Sequence, residues 1–390
     1  MSIKKFIHFG CWNNLNSLNN EKICLNNVMS KLTNYLEVSK PSVEFIVVAG
    51  DNYYPEKNVK ISSNGKQSKT KIIKVDKLNG GFNLLPDNIP INMILGNHDL
   101  ETNTDKKNLF IETTDMPETN DCVIIIKELE ILKPNINYVL FKYQRVNLDT
   151  LWLMIDTSMY SKDINTYLNC YNVFLEQKGH QTFSTVDELL EFHQTQIINA
   201  ITENMDGLKN IIISGHHPIT GVKYDSDEDK IKILNNIPNF IPILNEICKL
   251  TNNNLKYYYL CADLHLYQKG LVELKTTNGL IMEINQYVVG TGGTELDDAL
   301  PKSIELNSVH INKENIKYTM QDYKLQCGFL ECVLEDNNDP LFTFISAEEP
   351  MMSVNETIGG KKTRRKYKKR TCKYKKYKNT RKYRKRRRCN

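Results

Sequence analysis

The sequence lacks any run of about 18 consecutive apolar residues, the least that a membrane-spanning helix needs. We therefore predict no membrane span. A strand-like segment, Phe6 to Trp12, begins almost at the first residue and leaves no room for the basic and apolar regions of a secretory signal peptide. These two absences predict a soluble protein that stays inside the cell, in the cytoplasm or the nucleus.

The ten cysteines form no dense framework of CxxC pairs, and no internal repeat is visible. Several cysteines lie in apolar runs, as Cys261 does, and there we expect buried, reduced thiols. With 390 residues, of which 40% are hydrophobic and 25% charged, the chain has an ordinary globular composition and enough length for a large core. One large domain and two small ones both fit this length.

Acidic residues are absent from the end of the sequence. Residues 361–390 contain 19 Lys and Arg residues and no Asp or Glu, whereas the rest of the chain contains 32 basic and 46 acidic residues, a net charge of −14. A segment of such charge cannot bury a core. We therefore predict that residues 351–390 form a disordered tail rich in Lys, Arg and Tyr, behind a globular domain of residues 1–350.

The basic tail carries four tyrosines between its charges: Tyr367, Tyr374, Tyr377 and Tyr383. Aromatic rings stack on bases while Lys and Arg contact phosphates, so this composition favours salt-sensitive nucleic-acid binding without sequence preference. A nuclear import address fits equally well, which makes an import receptor an alternative partner. A third interpretation is a solvated tail held loosely against its own acidic body.

Strand and helix patterns alternate along the first 350 residues, which predicts an α/β fold. Helices are expected near residues 25–36, 75–85, 184–201 and 239–250, and strands outside the five runs described next near 138–143, 151–155, 270–275, 280–289, 327–334 and 341–346. Ser184 and Asp187 resemble a capping box. Residues 55–70 are polar and predict an exposed loop, and residues 160–182 show no clear period and predict an irregular insertion. His8, within the first strand, is expected to be a hydrogen-bonded core histidine.

Five apolar, strand-like runs are each followed directly by polar side chains: 6–12, 45–54, 93–99, 211–218 and 258–265. Because α/β sheets build sites at the carboxyl ends of their strands, we expect these polar side chains to meet in one cleft. Two cations about 3.5–4 Å apart need a bridging carboxylate, separate oxygen and nitrogen donors, and open positions for water and phosphate. Asp51 offers the bridge, Asn97 and His216 offer donors for one ion, and Tyr54 and His265 offer donors for the other.

The motifs GDNYY (50–54), GNHD (96–99) and GHHP (215–218), followed by a histidine after Cys261-Ala262, resemble those of the calcineurin-like metallophosphoesterases. The likeness is greatest to the purple acid phosphatase branch, in which a GDNxY element supplies a phenolate ligand. The motifs follow the family's order, and the resemblance extends from about Phe6 to Phe344. It implies two packed mixed β-sheets flanked by helices, a four-layer sandwich, with a dinuclear metal site at the strand ends.

Residue by residue, the resemblance implies that Asp51 bridges two metal ions. Tyr54 and His265 match the ligands of the first ion, and Asn97 and His216 match those of the second. Tyr54 has an alternative interpretation as a packed aromatic residue. The identity of the two ions stays open among iron, zinc and manganese.

Two positions depart from the family pattern. Cys11 stands where the family has Asp, and Asp263 stands where the family has the first histidine of its last motif. Both keep a donor atom, because a thiolate binds zinc or iron and a carboxylate binds almost any hard ion, so we predict that both are metal ligands. The charge of Asp263 would strengthen cation binding and oppose an anionic phosphate. The alternative is that both replacements mark a decayed site.

The resemblance implies hydrolysis of a phosphate ester by a metal-activated water that attacks phosphorus in line. His98 or His217 would give a proton to the leaving group. Cys11-Trp12-Asn13 lacks the histidine that nucleic-acid-cutting members carry there, which favours a phosphomonoesterase. Two alternatives stay open: a catalytically impaired scaffold that binds nucleic acid through its tail, and a phosphodiesterase acting on nucleotides or nucleic acid.

Overall fold

The computed structural model describes residues 3–15, 20–61, 67–102, 109–112, 121–301, 310–313 and 315–348. The predicted domain boundary at residue 350 and the basic tail lie outside the described residues, so both stay predictions. Within these ranges, every helix is too short or too polar to serve as a transmembrane span.

The strands, in chain order, are β1 (Ile3–Phe9), β2 (Phe45–Ala49), β3 (Glu56–Ile61), β4 (Gln67–Ile73), β5 (Ile91–Ile94), β6 (Leu109–Ile111), β7 (Ile136–Tyr138), β8 (Phe141–Arg145), β9 (Thr150–Ile155), β10 (Asn210–Ser214), β11 (Gly221–Asp225), β12 (Lys230–Leu234), β13 (Lys256–Cys261), β14 (Tyr267–Lys275), β15 (Ile281–Val289), β16 (His310–Lys313), β17 (Ile316–Lys324), β18 (Gly328–Glu335) and β19 (Leu341–Ser346). The α-helices are α1 (Asn20–Val38), α2 (Val75–Phe82), α3 (Val123–Glu130), α4 (Ile164–Gln177), α5 (Val186–Glu203) and α6 (Ile241–Leu250). Two short 3₁₀ helices span Thr157–Tyr160 and Pro238–Phe240.

Two large mixed sheets form the body. The first has the strand order β19-β18-β1-β2-β5-β7, and the second has the order β16-β17-β14-β15-β13-β10-β9-β8. The strands β1, β2, β5 and β7 are parallel in the first sheet, and β9, β10, β13 and β15 are parallel in the second. Antiparallel strands complete both sheets. The carboxyl ends of two parallel blocks are therefore available to build a site.

The two sheets pack face to face through large aromatic side chains. The ring of Trp152 on β9 lies 4.9 Å from the ring of Phe45 and 6.2 Å from that of Phe6, both on the first sheet. Strands β2, β5, β9 and β10 are buried along their whole length, as continuous apolar runs of parallel sheets predict. The predicted fold class, mixed sheets flanked by helices, is confirmed.

Two segments are more regular than the sequence predicts. Residues 55–70, expected to be a loop, include β3 and the start of β4, which pair as a hairpin and join β6 in a small sheet. The prediction was wrong because this hairpin is polar and lacks an apolar face. Residues 160–182, expected to be irregular, contain α4, whose buried residues have helical spacing: Ile164, Tyr167, Cys170, Tyr171, Phe174 and Leu175. Aromatic and cysteine side chains carry that period.

Smaller errors concern element boundaries. The capping box of α5 is formed by Thr185 and Glu188, one residue later than predicted: the Thr185 hydroxyl accepts a hydrogen bond from the Glu188 amide at 3.2 Å. Residues 138–143, expected to be one strand, divide between β7 and β8, which belong to different sheets. The helix α3 and the strands β6, β11, β12, β16 and β17 were not predicted. All of these strands except β17 have five residues or fewer, which is too short to show a clear period.

Four of the cysteines are paired, unlike the expected reduced thiols. Cys24 is joined to Cys327 and Cys122 to Cys170, over sequence separations of 303 and 48 residues that spacing alone does not reveal. Cys261 and three further cysteines are free and buried, as expected. The predicted cytoplasmic or nuclear location stays untested, and it fits these pairs poorly because disulfides are uncommon in reducing compartments.

His8 is buried on β1, but the expectation that it is hydrogen-bonded is wrong. Neither ring nitrogen has a hydrogen-bond partner among the described residues, and burial lowers the pKa of His8 to about 3. An unpaired buried polar group is costly, so His8→Leu should stabilise the fold by about 1–3 kcal/mol at neutral pH, measured by urea denaturation.

The gain from His8→Leu should increase as the pH falls. Below pH 6.5 the unfolded wild-type chain takes up a proton at His8, while the folded chain does not until about pH 3. Acid therefore costs the wild type stability at His8 that the variant does not lose. The control is His193→Leu, which should destabilise, because the His193 ring is hydrogen-bonded to the Tyr160 hydroxyl and the Leu140 carbonyl. A loss of stability in His8→Leu would contradict this account.

Candidate functional site

The carboxyl ends of strands from both sheets meet, and each delivers a polar residue there. Cys11 follows β1, Asp51 follows β2 and Asp263 follows β13. All three have left-handed backbone conformations, with φ angles of 53°, 54° and 61°. Such conformations are strained for residues other than glycine and cluster at functional sites. At all three strand ends, the same left-handed backbone conformation directs the side chain towards the common cluster.

The Asp51 carboxylate lies at the centre of the cluster, and its two oxygens face different partners. Oδ1 accepts a hydrogen bond from the His98 amide at 3.1 Å and lies 3.3 Å from His216 Nε2. Oδ2 accepts one from the Tyr54 hydroxyl at 2.9 Å and lies 3.7 Å from Cys11 Sγ. Burial raises the pKa of Asp51, but the His216 and His98 charges outweigh burial and hold that pKa below its usual range. Asp51 is therefore an ionised carboxylate between two sets of donors.

The first set centres on His216, whose backbone amide donates to the Thr157 hydroxyl at 2.9 Å. Its ring Nδ1 lies 2.7 Å from the Ala49 carbonyl oxygen, which can only accept, so Nδ1 carries a proton. Nε2 then points into the cluster, 3.2 Å from Asn97 Oδ1. Burial lowers the pKa of His216, but the charges of Asp51 and Asp263 outweigh burial and raise that pKa. Nε2 therefore shares a proton with the oxygens of Asn97 and Asp51, and a cation could take the place of that proton.

The second set contains Tyr54, His265 and Cys11. The Tyr54 hydroxyl lies 3.2 Å from His265 Nε2, and the His265 amide donates to Asp297 at 2.9 Å. Burial and the negative charge of Asp51 raise the pKa values of the Tyr54 hydroxyl and the Cys11 thiol, and burial lowers that of His265. A bound cation would oppose the increase for Tyr54 and Cys11, because positive charge favours phenolate and thiolate.

Asp263 and His217 extend the cluster on the His216 side. Asp263 Oδ1 lies 3.9 Å from His216 Nε2, and its Oδ2 accepts from the Asn236 amide at 3.2 Å. The His217 ring lies 4.7 Å from that of His216, and its Nδ1 is buried with no hydrogen-bond partner in the described part of the chain. An orphaned nitrogen beside a carboxylate is a donor atom that a cation could use.

His98 differs from the other members because part of its ring reaches solvent. Its side chain is 26% exposed, and its ring lies 4.7 Å from that of Tyr54. Burial lowers the pKa of His98, but the charges of Asp51 and Glu101 outweigh burial and raise that pKa. His98 therefore favours the protonated form beside the cluster.

The donor chemistry fits metal ions. Cys11, Asp51 and His216 offer ligand atoms within 4.8 Å of one another, and so do His216, His217 and Asp263. The two groups share His216. Contacts link all nine residues that the sequence singled out: Cys11, Asp51, Tyr54, Asn97, His98, His216, His217, Asp263 and His265. Their roles as ligands or catalytic groups stay predictions.

Sequence reasoning missed a buried network beneath the cluster. Asp99 accepts hydrogen bonds from the Asn52 amide at 2.7 Å and the Gly96 amide at 2.7 Å. The Asn52 side chain in turn donates to the Asp99 carboxylate at 2.9 Å and to the Tyr138 hydroxyl at 2.6 Å. This network fixes the loops that carry Asp51 and Asn97. The available signal was the position of Asn52 and Asp99 inside the motifs: Asn52 follows the predicted ligand Asp51, and Asp99 follows the predicted proton donor His98.

Gly290 directly follows β15 and opens a glycine-rich turn, Gly290-Thr291-Gly292-Gly293, near the site. A side chain at Gly290 would collide with the Leu264 carbonyl oxygen and lie 3.3 Å from Cys11 Sγ. Glycine is therefore required here so that two backbone segments can approach each other beside the cluster.

The family model described as calcineurin-like phosphoesterase matches residues 4–267. None of the curated proteins matched the sequence. Among solved structures, the purple acid phosphatase PPD1 from yellow lupin (Lupinus luteus) seeds superposes with a TM-score of 0.51 at 12% identity, covering 89% of this chain and 52% of that chain. The structure of PhoD superposes with a TM-score of 0.46 at 11% identity, covering 86% and 64%. The chain thus spans about half the length of the first and less than two thirds of the second, and the first likeness concerns the fold.

Proposed function

The chain belongs to the calcineurin-like phosphoesterase family, and from this premise we propose that it is a phosphomonoesterase that works with two metal ions. The observation that supports this best is that the two oxygens of the Asp51 carboxylate face different partners: Oδ1 faces His216 and Oδ2 faces Tyr54. A carboxylate placed between two donor sets is the arrangement of a bridging ligand.

The proposed ligands follow the two donor sets. Asp51 would bridge the two ions. Cys11, Tyr54 and His265 would hold one ion, and Asn97, His216 and Asp263 would hold the other. Sulfur is a soft ligand and the carboxylate of Asp263 is a hard one, so the two positions favour different ions among iron, zinc and manganese.

When bound, such ions would supply positive charge that holds the phosphate oxygens and lowers the pKa of a water for in-line attack on phosphorus. The chain's own residues do the rest. Ala49 fixes the tautomer of His216 through its carbonyl, and Thr157 fixes the backbone of the same residue. Held in this way, His216 presents one lone pair without rearrangement.

His98 is the better placed proton donor for the leaving group. Its side chain is 26% exposed, whereas His217 is 3% exposed. Burial and the charge of neighbouring His216 lower the pKa of His217. His217 is therefore neutral and carries a single ring proton, which makes it a poorer proton donor than His98. We therefore assign proton donation to His98, with His217 next to the Asp263 side of the cluster.

The experiment uses the purified full chain. It measures the metal content of the chain together with its turnover of an aryl phosphomonoester and of a bis-aryl phosphodiester. We expect two metal ions per chain, hydrolysis of the monoester above the diester, and loss of turnover in Asn97→Ala. Faster hydrolysis of the diester would assign the chain to phosphodiesterases instead.

A third outcome would overturn the proposal altogether. If the chain holds no metal and hydrolyses neither ester, the fold serves as a scaffold. In that case we expect salt-sensitive binding of nucleic acid through the basic tail, because residues 361–390 carry 19 positive side chains. Binding is measured at two salt concentrations with the full chain.

A further inference from the structure

Glu101 connects the candidate site to a lysine on a different part of the fold. Its carboxylate is 2% exposed, and its Oε1 lies 2.7 Å from Nδ1 of His98. Both oxygens of the same carboxylate accept hydrogen bonds from the ammonium of Lys71. Lys71, Glu101 and His98 therefore form a chain of contacts that ends at the ring assigned above as proton donor.

Lys71 belongs to β4 of the hairpin that the sequence predicted to be a loop. Its backbone pairs with Lys57 across the hairpin and with Leu109 on β6. Its side chain is 14% exposed. The small sheet of β3, β4 and β6 is separate from the two large sheets. A residue of this added sheet thus reaches the partner of an active-site histidine.

The contact with Glu101 restricts the His98 ring to one orientation. A carboxylate oxygen accepts a proton, so Nδ1 donates to Glu101 and Nε2 is the nitrogen left to face a substrate. The His98 backbone is fixed independently, because its amide donates to Asp51 at 3.1 Å. Lys71 holds the buried Glu101 carboxylate in place and balances its negative charge. This matters because a buried carboxylate without a positive partner is strongly destabilising.

We propose that Glu101 and Lys71 are positioning residues that hold the His98 ring with Nε2 towards the leaving group. The inference rests on the proposed function. As the bond between phosphorus and the leaving oxygen breaks, its electron pair stays on that oxygen, and the Nε2 proton of His98 transfers to it. Glu101 then faces a neutral ring whose Nδ1 proton is still shared with the carboxylate.

The test compares two aryl phosphates whose leaving groups differ in their need for a proton. p-Nitrophenolate is stable as an anion, whereas phenolate is much less so. In Glu101→Gln, kcat for phenyl phosphate should fall by about 10–100-fold, as for other residues that orient a site histidine, and kcat for p-nitrophenyl phosphate should fall much less. KM should change little for either ester. Lys71→Met should shift the ratio in the same direction by a smaller factor.

Lys57→Met is the matched control, since Lys57 lies opposite Lys71 on the same hairpin and is exposed to solvent. It should leave the ratio of the two kcat values unchanged. Glu101→Asp keeps the carboxylate and should restore part of the lost activity towards phenyl phosphate. If Glu101→Gln does not fold by thermal melting, the ratio in Lys71→Met decides, because Lys71 lies on a peripheral hairpin.

The outcomes distinguish this inference from the function on which it rests. If the wild type hydrolyses neither ester, the proposed function fails and the inference fails with it. If the wild type hydrolyses both and Glu101→Gln and Lys71→Met slow both equally, the function stands and the positioning role is wrong. A selective loss with phenyl phosphate in both variants supports the inference.

Discussion

Asp51→Asn is expected to remove metal binding and turnover together, lowering kcat by at least about a hundredfold. The substitution preserves the size of the side chain and replaces one acceptor oxygen with a donor. The new amide would point its hydrogens either at His216 Nε2 or towards the Tyr54 hydroxyl, because each Asp51 oxygen serves one of these partners. It also removes the negative charge that the two proposed cations would share. Metal content and kcat are measured on the same preparation.

Asp87→Asn is the matched control, because Asp87 is 79% exposed and pairs with Lys133 on the surface. It should bind metal and turn over substrate like the wild type, since exposed ion pairs contribute little to stability. An Asp51→Asn variant that keeps both its metal and its activity would contradict the bridging role.

Gly96→Ala is expected to reduce turnover by about a hundredfold, because a displacement of about 1 Å at a catalytic group costs that much. A methyl group at this position would overlap Oδ1 of Asp51 and lie 2.8 Å from Cε1 of His216. Neither neighbour can move without breaking its own contacts. The variant adds no charge and removes no donor, so it tests the geometry of the site separately from its chemistry. Turnover and metal content are measured, with thermal melting to follow the fold.

Gly80→Ala provides the same change on helix α2, where the nearest atom is the tip of the Leu15 side chain at 3.2 Å. Alanine favours a helix over glycine by about 1 kcal/mol, so this control should be as active as the wild type and at least as stable. Equal activity in Gly96→Ala and Gly80→Ala would show that Asp51 and His216 are not held in close contact.

The strands that carry the site were predictable because they are apolar runs with polar ends, as in β2 followed by Asp51 and β10 followed by His216. Their convergence follows from the rule that parallel strands end at one edge. The pairing of Cys24 with Cys327 was not predictable, since 303 residues separate them. The hairpin carrying Lys71 was not predicted, because its sequence has no apolar face from which a strand could be recognised.

The finer features of the site depend on tertiary contacts that no motif encodes. The tautomer of His216 is set by the Ala49 carbonyl, and the position of His98 by Glu101. Glu101 lies only three residues after His98, so the spacing was visible, but the turn that brings the side chains together was not. Cys11 and Asp263 departed from the family pattern, and both have the same left-handed backbone as Asp51. A shared strained geometry supports retention of the site over its decay.

Anomalous X-ray diffraction from crystals of the full chain, recorded at the absorption edges of iron, zinc and manganese, would show whether two cations share the Asp51 carboxylate. We expect two peaks, one beside Oδ1 among Asn97 and His216, and one beside Oδ2 among Tyr54 and Cys11. If crystals grown with these metals show no peak at Asp51, or a single peak touching neither of its oxygens, the carboxylate is not a bridge.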